Sequence, residues 1–138
     1  MLEKKIYITN IDKQRLTELL VVARKFAKKD EKYLRDLECE LAKCEIVESN
    51  EIPSDVITMN SKIRLWNINT KKEVIYQLVF PYDADTDQGK ISILAPIGTA
   101  LLGYQISDIV QWKVPAGLIK FEVKDILYQP EAAGDYHL

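Results

Sequence analysis

Apolar residues recur every three or four positions up to about residue 45 and every second position from about residue 56, so the period alone separates a helical part from a strand-forming part. The helical part opens with a short alternating piece, KIYIT, followed by Thr9 and Asp12. Their types and spacing predict a helix N-cap with an acid in the first turn. Leu16, Leu19, Val22, Ala23 and Phe26 then mark an apolar stripe. The polar run KKDEK interrupts it, and Leu34, Leu37, Leu41 and Cys44 resume the same spacing. Two narrow seams joined by a short connection predict an antiparallel helical hairpin in which each seam covers the other.

The run ESNEIPSD, residues 48–55, breaks the helical period and carries Pro53, marking the junction to a second unit. Beyond it, KIRLWNI, the turn NTKK and EVIYQLVF predict a β-hairpin that stops at Pro81. The polar loop YDADTDQGK closes on Gly89 before the strand ISIL. Pro96 starts and Gly103 ends a brief helix over TALLG, whose apolar residues plug the sheet. ISDIVQWKV, the turn PAGL and IKFEVKDILY form a second hairpin of β-branched and aromatic residues. The expected class is α+β: a helical hairpin over residues 1–47, then residues 48–138 with about five strands around one short helix.

Charge sharpens the first unit. Residues 12–29 carry six Lys/Arg against two acids, and residues 30–45 carry three against six, so the two helices attract each other. At 1.5 Å per residue each helix is roughly 25 Å long, a stub and not a rod. Over the whole chain of 138 residues the net charge is −2, which gives no basic field for sequence-independent nucleic-acid binding. The N-terminal residues lack the apolar stretch of a secretory signal, and the longest apolar run, Leu19 to Ala23, cannot cross a bilayer. These features predict a cytoplasmic protein with no membrane partner and no sequence-specific nucleic-acid contact.

Candidate chemistry is sparse. Cys39 and Cys44 lie on different helical faces and have no second ligand pair for zinc. The lone histidine, His137, sits in the tail, so no catalytic triad assembles. Asp83, Asp85 and Asp87 alternate as in the start of a calcium loop but lack its glycine and its closing glutamate. They are expected to form a solvated connection. Trp66 and Trp112 lie within alternating strands and are expected to be structural aromatics. At the hairpin tip, Lys28 and Lys29 finish one helix while Asp30 and Glu31 start the next, which local capping and helix-dipole physics explains without a metal. No metal ligand, cofactor or catalytic residue is expected.

The residues by themselves stop at this architecture. The run GKISILAPIGTALLGYQISDIVQWKVPAG resembles the C-terminal domain of the bacterial Gre transcript-cleavage factors, through ISIL-AP-IG-ALLG and then D-V-W-VP-G. SDVITMNSKIRLWN and the closing YQPEAAGDYHL resemble the Rnk family, the regulators of nucleoside diphosphate kinase, which are relatives of the Gre factors. The resemblance implies an N-terminal antiparallel coiled coil joined to an FKBP-like domain. It also implies a partner, RNA polymerase, at the rim of its secondary channel. The docking loop of the Gre factors falls here on Leu94, Ala95, Pro96, Ile97 and Gly98. Gre factors hold a catalytic magnesium with separated acids at the coiled-coil tip, whereas Asp30 and Glu31 are adjacent, flanked by lysines and borne on a shorter hairpin. The resemblance therefore implies a non-catalytic regulator that competes with Gre-type factors. The alternatives are a transcript-cleavage factor acting through the tip acids and, on fold analogy alone, a prolyl isomerase or chaperone.

Overall fold

A computed structural model of the chain describes residues 6–26, 32–115 and 117–135. A first strand, β1 (Tyr7–Thr9), runs directly into helix α1 (Asn10–Phe26), and the Thr9 Oγ1 accepts the Asp12 N–H at 3.0 Å, the cap that the sequence predicts. Helix α2 (Lys32–Lys43) ends at β2 (Glu45–Val47), which pairs in parallel with β1. Lys13, near the start of α1, donates to the Leu41 carbonyl near the end of α2 at 2.6 Å, and Arg24 near the end of α1 forms an ion pair with Glu38. Those crossed contacts make the helices antiparallel, and the ion pair joins the two charge biases.

The buried line on α1 differs from the predicted seam. Asp12, Leu16 and Leu20 are buried, Leu19 and Ala23 are half-buried, and Val22 is 52% exposed. The physical reason is that α1 packs against the sheet unit as well as α2, which turns the buried arc toward the i, i+4 row through residue 16. On α2 the predicted seam holds, with Leu34, Leu37 and Leu41 buried and Cys44 half-buried.

The second unit is a five-stranded sheet built from β3 (Lys62–Asn67), β4 (Lys72–Val79), β5 (Lys90–Ser92), β6 (Ile109–Val114) and β7 (Gly117–Tyr128). Its order is β5-β4-β3-β7-β6, antiparallel except for the β4–β5 pair. Alternation sorts the two faces of β3, because Ile63 and Leu65 are fully buried while Arg64 and Trp66 are only half-buried. The turn between β3 and β4 is held by the Asn67 side chain, whose Oδ1 accepts the N–H groups of Asn69 and Thr70. Helix α3 (Pro96–Leu101) buries Leu101 in the core, and the chain leaves it through Gly103 at φ +84°. A side chain at Gly103 would collide with Ile6, so this glycine is where the helix meets the base of the hairpin. One cluster of buried residues runs through both units, from Ile8, Leu16 and Leu37 to Ile63, Leu101 and Val123. The last element is a single helical turn, α4 (Pro130–Ala133), closed by Gly134 at φ +80°.

Candidate docking site

Residues 94–98 form a turn that hydrogen bonds tie back to Ser92 and Ile93. The Leu94 N–H donates to the Ser92 Oγ at 3.0 Å, the Ala95 N–H to the Ser92 carbonyl at 3.0 Å, and the Thr99 hydroxyl to the Ile93 carbonyl at 2.7 Å. Pro96 at the first turn of α3 needs no N–H acceptor and stands exposed. Leu94, Ala95 and Ile97 are half-buried, and Gly98 is buried. A side chain on Gly98 would collide with the Ser92 carbonyl, so Gly98 shapes the turn and the four residues before it present the surface. A largely apolar knob held by these bonds suits a partner that offers a shallow apolar recess.

Next to the α1 base lies a polar joint that the sequence pattern does not reveal. The Asp12 side chain, 1% exposed, accepts the Met59 N–H at Oδ2 over 3.1 Å and pairs with Arg15 through Oδ1. Burial pushes the Asp12 carboxyl above its ordinary range, and the Arg15 bond and charge together with the Met59 and Thr9 hydrogen bonds hold it back. The Arg15 guanidinium lies 4.9 Å from the Phe80 ring centroid, and Phe80 stacks on Tyr82 at 5.8 Å.

The other side of the same turn is held by the C-terminal segment. The Thr58 hydroxyl donates to Glu131 Oε1 at 2.7 Å, and the Thr58 N–H donates to the Ser61 Oγ at 2.9 Å. The two hydroxyls are 2.8 Å apart, and with the Thr58 proton directed to the carboxylate, Ser61 donates to Thr58. Burial raises the Glu131 carboxyl above its ordinary range, the Thr58 bond opposes this, and the nearby Asp12 charge adds to it. Gln129 donates through Nε2 to the carbonyls of Pro53 and Val56, at 2.9 and 2.7 Å. Tyr128 bonds to Asp135, which pushes its phenol up to about 12.

The remaining sequence candidates are dispersed. Lys28, Lys29, Asp30 and Glu31 lie outside the described residues, as does His137, and the side chain of Trp112 is not among those described. Trp66 is half-buried on the outer sheet face. Asp83, Asp85 and Asp87 are exposed, and Asp85 caps a turn by accepting the Asp87 N–H at 3.1 Å. Cys39 is exposed and Cys44 half-buried. Among the described residues no group of three or more His, Cys, Asp or Glu side chains could hold a metal ion, and no described helix is long and apolar enough to cross a membrane.

Residues 52–128 match the family described as transcription elongation factor GreA/GreB, C-terminal, and residues 4–47 match the family described as Rnk N-terminus. The regulator of nucleoside diphosphate kinase of Escherichia coli K12 is 38% identical over 103 residues, which is 74% of this chain and 76% of that protein. The transcription elongation factor GreA of Clostridium botulinum strain Eklund 17B is 32% identical over 135 residues, 87% of this chain and 84% of that one. Among solved structures, the GreA/GreB-type prokaryotic transcription elongation factor from Nitrosomonas europaea superposes with a TM-score of 0.74 at 38% identity, covering 91% of this chain and 100% of that chain.

Proposed function

The chain belongs to the GreA/GreB family and carries the N-terminal region of its Rnk relatives, and from that premise we propose that it is a non-catalytic regulator of transcription elongation acting on RNA polymerase. It docks at the rim of the secondary channel through Leu94, Ala95, Pro96 and Ile97, with Gly98 shaping the turn, and competes there with Gre-type factors. The observation that carries this is the preformed 94–98 turn, which presents an exposed Pro96 and is tied back to Ser92 by the Leu94 and Ala95 N–H groups. A preformed turn loses little conformational freedom on binding, which favours affinity for a given contact area. The sheet that carries it is best read as FKBP-like, and the hairpin as a short probe that enters only the channel mouth. A cytoplasmic setting follows from such a partner.

The test is a competition experiment with purified core polymerase and a labelled Gre factor. Wild-type protein displaces the label, and Pro96→Asp, which places a charge at the centre of the knob, weakens displacement by about ten-fold or more, equivalent to roughly 1.4 kcal/mol. Binding without displacement, or no binding at all, rejects the proposal.

A further inference from the structure

The C-terminal segment contributes little to the core, yet it makes several of the polar contacts around the hairpin's base. Of its residues from 130 on, only Pro130 is buried among those described, and Ala132, Ala133 and Gly134 are exposed and carry little or no side chain to pack. What fixes its position is polar: Gln129, 4% exposed, holds the Pro53 and Val56 carbonyls of the junction, and Glu131 holds Thr58. The turn from Thr58 to Ser61 is the same one whose Met59 N–H bonds to Asp12 at the start of α1. One tight turn is thus gripped on one side by the hairpin and on the other by the tail.

We propose that the C-terminal segment, residues 128–135, is a latch: through Gln129 and Glu131 it locks the joint between hairpin and sheet and so holds the hairpin at one angle to the docking turn. Glu131 is then a positioning residue, acting on the hairpin through Thr58, the 58–61 turn and Asp12. The chemistry suits the task. The covalent junction is the polar run ESNEIPSD, in which Ile52 is the one buried residue, so it adds little to the shared core that seats the hairpin, and polar contacts are left to remove its residual movement. A charged acceptor makes a stronger hydrogen bond than a neutral one, and the orientation of Thr58 is fixed twice, by its own N–H to Ser61 and by its hydroxyl to Glu131. The consequence for polymerase rests on the function proposed above, whereas the latch itself does not.

The experiment measures the hairpin's angle directly, on the full chain and without polymerase, so that its failure and a failure to bind polymerase are separate results. Cys39 is exposed on α2 and takes one spin label, Cys44→Ser removes the second thiol, and Lys120→Cys on the exposed part of β7 takes the other label. Pulsed electron-electron resonance gives the distribution of distances between hairpin and sheet. With Glu131 and Thr58 intact a single narrow distribution is expected. Glu131→Ala and Thr58→Val each roughly double its width, because the joint then samples a range of angles in place of one. Glu131→Gln, which keeps an acceptor at Oε1, restores the narrow distribution. Equal widths in all four proteins, or a broadening by Glu131→Gln as large as that by Glu131→Ala, overturns the proposal. Circular dichroism reports folding of each variant, and Thr58→Val decides the question should Glu131→Ala not fold.

Discussion

Asp12 is held in a place that disfavours its charge, and its partners compensate only in part. Its folded carboxyl titrates above the ordinary value of 3.8, and Glu131 titrates above 4.5, both chiefly through burial. A carboxyl raised in the folded state binds its proton more readily there than in the unfolded chain, so these two groups add stability as pH falls from neutral toward their ordinary values. The contribution is complete below those values and is lost as pH rises through the raised ones. Thermal melts from about pH 7 down to about pH 4 should therefore show a relative gain in Tm for the wild type that the double variant Asp12→Asn, Glu131→Gln lacks. A variant with the same pH profile as the wild type would contradict the assignment. Removing the carboxyl altogether is a different perturbation. Asp12→Ala leaves the Met59 N–H and Arg15 without their acceptor and should cost about 2–4 kcal/mol by chemical denaturation. The sequence displayed Asp12 as a first-turn acid behind the Thr9 cap, and that local role is correct. Its second role was invisible because the acceptor and Met59 are 47 positions apart, and periodicity reports faces but not partners.

Among the elements, those longer than about two turns or four strand residues were legible, because a period needs several repeats to register. Both helices of the hairpin and the longer strands of the sheet follow from spacing, whereas α3 and β5, with 6 and 3 residues, were legible only from the Pro96, Gly103 and Gly89 that bracket them. Strand β2 has 3 residues and α4 has 4, too short for any repeat, and β2 exists only because β1 is beside it. The stripe on α1 was drawn correctly through Leu16, Leu19 and Ala23, but for a related reason it omitted the buried Leu20 and included the exposed Val22. A seam drawn for one neighbour cannot show that a second neighbour, the sheet unit, shares the helix. This yields a sharp contrast between neighbouring residues: Leu20→Ala should cost about 2–5 kcal/mol, as a fully packed leucine does, and Val22→Ala no more than about 0.5 kcal/mol. Denaturation of the two variants side by side checks it, and similar costs would contradict the observed packing.

At the level of the whole molecule, hairpin and sheet share one buried cluster, so the hairpin is a continuation of the core and not a loose appendage. Its reach is set by α1 and α2, with 17 and 12 residues. That corresponds to about 25 Å and about 18 Å of helix, short for a probe expected to touch a distant active site. A stalled-complex assay should accordingly find that neither the wild type nor the double variant Asp30→Ala, Glu31→Ala shortens the nascent RNA. Shortening by the wild type that the double variant loses would make the protein a cleavage factor. The proposed docking role of residues 94–98 rests on resemblance, because exposed Pro and half-buried Leu look the same in any turn.

The bonds from Gln129 and Glu131 to residues 53–58 also carry a consequence for biosynthesis. Domains begin to fold while the chain is still being made, from the N-terminal end, yet here contacts at the joint come from Gln129 and Glu131, 73 to 76 positions after the residues they hold. Hairpin and sheet can bury their shared cluster early, but the polar contacts of the proposed latch close only once residues 129–131 have been made.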